Sequence, residues 1–385
     1  MSRRTPAAQR HVLIANPSAD VYGSDLQMLD SITALIEAGC RVTVSVPSDG
    51  PLVPQIRARG AVVVFTVVLP VQRAALSPRG LLRLAGRSAA AVSRSRSLIR
   101  RLRVDLVYVN TVILPTWILA ARLSGVPVVC HVHEAETADR MLLLKGLLAP
   151  MRLTTGLIAN SQAALDWLVS VYPSLGGRTT RVFNGVSAPP TAPRLTEHTT
   201  GPLRLVAISR LSPRKALDVA LEALALLRAD GRDVTLHIVG TAYTGYEWFE
   251  EQLRERAAEA DLAGSVVFEG YVSPVWSVLE TCDIAIAPSL GESFGNAVVE
   301  AQLAGRPVIA AVNAGHLQTV QDGETGLLVP PGDAAALAAA VGRLIDDPEL
   351  ARALAERGLA SAEEKFTVSR YRREIAAAVG ALLQA

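Results

Sequence analysis

Glu292 and Glu300 stand eight positions apart in SLGESFGNAVVEAQLAGRPV, on either side of a Phe294-Gly295-Asn296 turn. If a helix starts near Gly295, its rise of about 1.5 Å per residue sets the two carboxylates roughly 10 Å apart along the axis. That is about the length of a ligand carrying a diphosphate in its middle. A helix N-terminus at the end of a strand offers unpaired N–H groups and the positive end of a dipole, which suits such an anion. Glu292 is then placed to accept hydrogen bonds from sugar hydroxyls on one side of the phosphates, and Glu300 from a ribose on the other. Two glutamates at this spacing are more often surface residues, so the reading needs support from other loops.

Two further stretches supply it. Arg210 and Lys215 lie in SRLSPRKALDVALEAL, just past an apolar run and ahead of an amphipathic helix. A pair of fixed cations there can neutralise a departing diphosphate, although each taken alone reads as part of a solvated loop. In the first half, VVCHVHEAET carries His131 and His133 on either side of Val132, followed by Glu134. Alternation sends both rings to one face, with His133 nearer the strand end and a candidate for substrate contact. His131 reads as a satisfied structural histidine, and a metal site lacks a third ligand.

The elements that must position these residues are short β-branched runs with helical stretches between them. The first series is 11–16, 41–46, 61–67, 104–110, 126–132 and 156–161; the second is 203–209, 235–240, 266–272, 282–289, 307–311 and 326–331. Continuous apolar runs indicate strands buried on both faces of a parallel sheet. The expected class is α/β, with two tandem Rossmann-like doubly wound domains facing an interdomain cleft. The division is residues 1–186, a Pro- and Thr-rich linker at 187–202, residues 203–365, and a final helix over 366–385.

Composition agrees with two cores. The chain has 385 residues, 50% hydrophobic and 19% charged, which exceeds what one core usually supports and excludes a disordered chain. A net charge of +2 points to no nucleic-acid partner. Cys40, Cys130 and Cys282 are scattered and fit a reducing compartment rather than a disulfide framework. The basic N-terminus runs into too short an apolar stretch for a secretory signal, and Ala61–Val71 is far short of the ~20 residues a membrane span needs. A cytoplasmic protein is expected.

Taken together, ISRLSPRK, GESFGNAVVEAQLAGRPVIA, HVHE, FNGV and GLLVPPGD resemble the retaining family-four glycosyltransferases (glycosyl transferases group 1), which have the GT-B fold. The likeness covers nearly the whole chain and is densest over 203–333, and it implies that the final helix, 366–385, packs back on the first domain. It implies a nucleotide-diphosphate-sugar donor, a glycan or lipid-linked acceptor, and a setting in cell-envelope or exopolysaccharide synthesis. It also implies that Glu292 contacts the donor sugar, that the Phe294, Gly295 and Asn296 amides meet the sugar and phosphates, and that Glu300 binds the ribose. Arg210 and Lys215 match the diphosphate-holding pair, and His133 the histidine facing the reacting sugar. No cofactor and no divalent metal are expected, consistent with the absence of an Asp-x-Asp motif. The chain departs from the family pattern at Gly23, followed by Ser24 where paired glycines are usual, so this donor-loop position has less support. It departs again at Ala314-Gly315 and Gln318, where Gly-Gly and Glu are usual. A sugar-nucleotide epimerase of similar architecture and a non-catalytic nucleotide-sugar-binding scaffold are the rival readings.

One stretch stands outside this scheme. From Pro51 to Val104 there is no acidic residue, while Arg79, Arg83, Arg87, Arg94 and Arg101 fall in one narrow sector at about 100° per residue, with Leu81, Leu84, Leu98, Ile99 and Leu102 in the sector beside it. A crossover helix with a solvated face would usually mix both signs. An all-basic face suits anionic lipid headgroups, and the apolar 141–150 segment could dip beside them. An anionic membrane surface on the inner leaflet is therefore a candidate partner. The lack of interleaved aromatics argues against nucleic acid.

Overall fold

The computed structural model describes residues 9–21, 23–70, 78–135, 141–195 and 201–384, with the side chains of 78–87 and 142 outside that description. The chain divides into two compact units, Met1–Gly185 with Val368–Ala385, and Val186–Thr367.

In the first unit the strands are β1 (His11–Ala15), β2 (Arg41–Val46), β3 (Val62–Phe65), β4 (Leu106–Val109), β5 (Val128–Val132), β6 (Gly156–Ala159) and β7 (Thr179–Arg181). They form one parallel sheet in the order β3-β2-β1-β4-β5-β6-β7. The helices are α1 (Gly23–Glu37), α2 (Leu52–Ala58), α3 (Pro78–Leu102), α4 (Pro115–Leu123), α5 (Met141–Leu148) and α6 (Gln162–Val171). Along β1, Leu13 and Ala15 belong to one core and Val12 and Ile14 to the other. Both faces are covered, which is why the central strands read as unbroken apolar runs.

The sheet edges differ from that expectation. β3 leaves Val62 and Phe65 more than half exposed, because an edge strand has a neighbour on one side only. β7 carries the polar residues Thr179, Thr180 and Arg181 and gave no apolar signal, so this seventh strand was absent from the sequence reading.

The second unit has β8 (Leu203–Ile208), β9 (Val234–Val239), β10 (Val266–Gly270), β11 (Ile284–Ala287), β12 (Val308–Ala311) and β13 (Leu327–Val329). Their parallel order is β10-β9-β8-β11-β12-β13. Its helices are α7 (Leu217–Ala229), α8 (Glu247–Ala257), α9 (Trp276–Leu279), α10 (Asn296–Leu303), α11 (His316–Thr319), α12 (Ala334–Asp346) and α13 (Pro348–Lys365). The stretch expected as a linker is grouped with this unit. Arg306 donates from Nη2 to the Arg194 carbonyl at 2.9 Å and from Nη1 to the Cys282 carbonyl at 3.0 Å, holding the segment against β11. The last helix, α14 (Val368–Gln384), counts with the first unit. Its Tyr371, Ile375 and Val379 enter the core that holds Met28, Ile32 and Leu35 of α1.

Strand order reverses between β1 and β4 in the first sheet, and between β8 and β11 in the second. In doubly wound sheets the carboxyl ends of strands at such switch points are where ligands bind. Gly23 comes after β1, Arg210 and Lys215 after β8, and Glu292 and Phe294 after β11, whereas His133 follows β5, one strand beyond the switch point, and Glu300 lies within α10.

Candidate active site

In the second unit β11 ends before Pro288, and residues 290–295 form the loop that leads into α10. Gly295 caps that helix with φ +100°, a left-handed conformation that an L side chain rarely adopts. A Cβ at this position would also come within 2.9 Å of His316 Cδ2. Phe294 is buried edge-on against Phe366, with ring centroids 5.4 Å apart, so its side chain anchors the loop and its backbone is the part left for a ligand. Asn296 is the first helical residue.

Three contacts join this loop to its neighbours. The Leu290 N–H donates to the Arg214 carbonyl at 2.9 Å, which ties it to the short turn at Pro213–Lys215 after β8. Asn313 donates from Nδ2 to the Ser289 carbonyl at 2.9 Å, while its Oδ1 accepts from the Gly315 and His316 N–H groups. A Cβ on Gly315 would lie 2.7 Å from the Glu292 carbonyl oxygen and 2.8 Å from Phe294 N. Of the two positions where paired glycines are usual, this second one is where the backbones touch. Gln318, where Glu is usual, donates to the Ala314 carbonyl of its own turn at 2.8 Å.

These contacts bring Lys215 and Glu292 together as an ion pair, both largely shielded from solvent. Burial alone would push the Glu292 carboxyl up; the charge of Lys215 and its hydrogen bond, with help from His316 and Arg214, outweighs that and holds it below the ordinary carboxylate value. His316 donates from Nδ1 to the Ala311 carbonyl at 2.8 Å, and burial pushes its pKa below the usual imidazole value. Glu300 sits one turn into α10, half-buried. Among the described residues its carboxylate has no hydrogen-bond or ion-pair partner, and burial lifts its pKa to about 7. Arg210 is placed differently from a bare loop cation: its Cζ stacks 3.8 Å above the Tyr243 ring. Sequence reading missed Tyr243 and His316. The first is brought in by register, since the β8 and β9 loops run on together through a Leu211–Ala242 bridge.

In the first unit His133 follows β5, where burial drops its pKa to about 3, so the ring is neutral. Its Nε2 lies 3.2 Å from Asn110 Oδ1, and its ring packs 4.0 Å from that of His131. His131 is fully buried with Nδ1 2.5 Å from the Tyr108 hydroxyl, the structural role its position suggested. Glu134 takes the His133 N–H at 2.9 Å and the Thr111 hydroxyl at 2.5 Å, turning back on its own loop. Gly23 opens α1. Among the described residues no group of three His, Cys, Asp or Glu could hold a metal ion.

The arginine stretch forms α3 as expected, with Arg94 and Arg101 exposed and Leu98 and Ile99 buried on the other side. The side chains of Arg79, Arg83 and Arg87 lie outside the described ones. No described helix is long and apolar enough to cross a membrane.

Comparison with known proteins bears on both units. Residues 202–347 match the model of the glycosyl transferases group 1, and residues 23–188 that of Glycosyltransferase Family 4. The chain is 34% identical over 240 residues to a phosphatidyl-myo-inositol mannosyltransferase of Mycolicibacterium smegmatis, covering 60% of this chain and 59% of that one. It is 29% identical over 287 residues to a glycogen synthase of Mycobacterium tuberculosis, covering 70% and 66%. It thus spans about three fifths of the length of the mannosyltransferase. Among solved structures, Anabaena HepE in complex with UDP and glucose superposes with a TM-score of 0.80 at 23% identity, over 96% of this chain and 99% of that one. A glycosyltransferase from Rickettsia africae does so with a TM-score of 0.80 at 18% identity, over 98% and 100%. With the same parallel α/β architecture in both units and a family model matched by each, the chain belongs to the family-four (group 1) glycosyltransferases of GT-B fold.

Proposed function

We propose that this chain moves a sugar from a nucleotide-diphosphate-sugar donor to a hydroxyl of a glycan or lipid-linked acceptor, with retention at the anomeric carbon and without a divalent metal. The observation that carries this reading is the Lys215–Glu292 pair beside the N-terminus of α10, with a second carboxylate at Glu300, unpartnered among the described residues, further along the same helix. A diphosphate at the helix N-terminus competes with Glu292 for Lys215. Once it takes the ammonium, Glu292 is released to accept from a sugar hydroxyl, while Glu300 accepts from the ribose. Arg210, Lys215 and the helix N–H groups then stabilise the charge that grows on the departing diphosphate, where preorganised electrostatics supplies most of the catalytic effect. His133 orients the sugar, and no protein nucleophile is assigned.

A lipid-linked acceptor draws support from the name of the mycobacterial relative, a phosphatidyl-myo-inositol mannosyltransferase, and from the basic face of α3. That face docks the chain on the anionic inner leaflet, each arginine contributing about 1 kcal/mol near the surface. Cell-envelope or exopolysaccharide synthesis is the setting that follows. Metal independence rests on the lack of an Asp-x-Asp motif.

A thermal-shift panel of nucleotides and nucleotide sugars tests the donor site, because a ligand bound only by the native state raises the melting temperature. We expect a nucleotide diphosphate and its sugar to raise it. Product NMR should then show the donor's anomeric configuration kept and a rate indifferent to EDTA. A chain that binds none of the panel, or that converts a donor to its epimer with no acceptor present, would overturn the proposal.

A further inference from the structure

Four polar side chains of the first unit, outside the donor cluster, form one hydrogen-bonded line. Asn16 donates from Nδ2 to Asp25 Oδ1 at 2.7 Å, Asn110 donates from Nδ2 to Asn16 Oδ1 at 2.9 Å, and His133 Nε2 lies 3.2 Å from Asn110 Oδ1. Asp25, Asn16 and Asn110 are each 3% exposed or less, at the start of α1 and at the ends of β1 and β4. Each amide has a second anchor. Asn16 Nδ2 also donates to the Ser18 carbonyl at 3.0 Å, and Asn110 Nδ2 to the Ser24 carbonyl at 3.4 Å.

The chemistry of these groups gives the line a direction. A carboxylate and a main-chain carbonyl only accept, so the Asn16 NH2 must face Asp25 and Ser18, and its oxygen turns to Asn110. That oxygen and the Ser24 carbonyl draw the Asn110 NH2, which leaves the Asn110 oxygen for His133. An oxygen acceptor beside Nε2 requires that nitrogen to carry the hydrogen. Nδ1 then holds the ring's lone pair, and it is buried with no hydrogen-bond partner among the described residues. The other titratable groups packed around the ring leave it so. His131 approaches face to tilted face, its own Nδ1 engaged by Tyr108, and the Glu134 carboxylate is turned to the His133 main chain and Thr111.

We propose that Asp25, Asn16 and Asn110 are positioning residues that hold His133 as the neutral Nε2–H tautomer, so that its Nδ1 accepts a hydrogen bond from a hydroxyl of the sugar substrate. This rests on the reading of the chain as a sugar-transferring enzyme. A buried acceptor left without a donor costs about 1–3 kcal/mol, and an incoming O–H removes that cost upon binding. The proton assignment passes from a carboxylate on α1 through two amides, just past β1 and β4, to a ring just past β5, three strand ends held in one order by the sheet.

Two-bond proton–nitrogen correlation spectra of histidine-15N protein report which ring nitrogen carries the hydrogen. The unaltered chain is expected to show His133 with hydrogen on Nε2 and no titration between about pH 5 and 8, the window of an ordinary histidine. Asn110→Asp puts a carboxylate beside Nε2–H and favours imidazolium. Its His133 should then titrate within that window, and turnover should fall as pH drops through the new value because the Nδ1 acceptor is lost. Asn110→Ala and Asp25→Asn should lower turnover on the order of tenfold to a hundredfold, as loss of a group orienting a functional histidine usually does. Asn110→Asp reads the same role through pH rather than through folding. Hydrogen on Nδ1 in the unaltered chain, or an Asn110→Asp enzyme with the parent's pH profile, would overturn the proposal alone. No turnover of any nucleotide sugar by the unaltered chain would remove the functional reading first and the hydroxyl with it.

Discussion

Lys215 and Glu292 hold one another, so neither can be altered without changing the other. In Lys215→Ala the burial of Glu292 is no longer offset, and its carboxyl should rise above the ordinary range. We expect turnover to fall about 10²–10³-fold, as when one preorganised transition-state donor is removed, while the melting midpoint moves by only a few degrees. Steady-state rates beside a melting curve check this, and a full-rate variant would remove Lys215 from the mechanism. Glu300 behaves oppositely. Its pKa is raised from 4.5 to about 7 by burial. Between those values the folded chain binds more protons than the unfolded one, so stability is greatest below the lower value and is lost as pH rises through the upper one. Glu300→Gln should flatten that slope between pH 5 and 8 in melting experiments, and should weaken nucleoside diphosphate binding more above pH 7 than below. The acidic pair and Lys215 were legible in the sequence because each sits in a local motif whose spacing has a meaning on a helix. The neighbours that tune them were not. His316 reaches Glu292 from the loop after β12, and nothing in its own surroundings announces that.

Among the elements, the proposed donor site is a junction of three loops rather than one helix end. The Arg214 carbonyl holds the loop after β11 from the end of β8, and the Asn313 side chain and the bare Cα of Gly315 hold it from the end of β12. A methyl on Gly315 meets backbone on its open side, so the loop must move as a body. Gly315→Ala should lower stability by about 1–3 kcal/mol, typical of overpacking, and should weaken donor binding as well; denaturant melts and calorimetry separate the two effects. Tyr243 supports Arg210 from the loop after β9. A cation–π contact contributes about 0.5–2 kcal/mol, so Tyr243→Ala should weaken donor affinity about threefold to tenfold and Tyr243→Phe should restore it. Equal affinities in all three proteins would leave the stack without a role. Element identity was readable wherever both faces of a strand are buried. It failed at β7, whose three polar residues are held by pairing to β6 and by no pattern of their own.

For the whole molecule, the C-terminal helix shows how distant segments share one core. Tyr371 is fully buried and its hydroxyl lies 2.7 Å from Ser31 Oγ on α1. Tyr371→Ala should cost about 3–5 kcal/mol, the range for removing a large buried side chain, read as a lowered denaturant midpoint with the slope unchanged. The surface of α3 makes a separate prediction. Flotation with vesicles should recover the chain with anionic and not with neutral lipid, and charge reversal at Arg94 and Arg101 should abolish recovery. Equal recovery with both lipids would reject membrane docking. Its all-basic character was legible because a run without acids is a property of the sequence itself.

The amino-acid sequence by itself determined the class of fold, the strand–loop–helix junction before α10 and the identity of its charged residues. Those follow from periodicity and local spacing, which a chain carries before it folds. Only the tertiary structure decided which charges meet: Glu292 with Lys215, Arg210 on Tyr243, Glu300 without a partner among the described residues, and the line from Asp25 to His133. The reason is that parallel strands are joined by crossovers of a dozen residues or more, so neighbours at their carboxyl ends are remote in sequence. Strand order, set by packing of both sheet faces, chooses them.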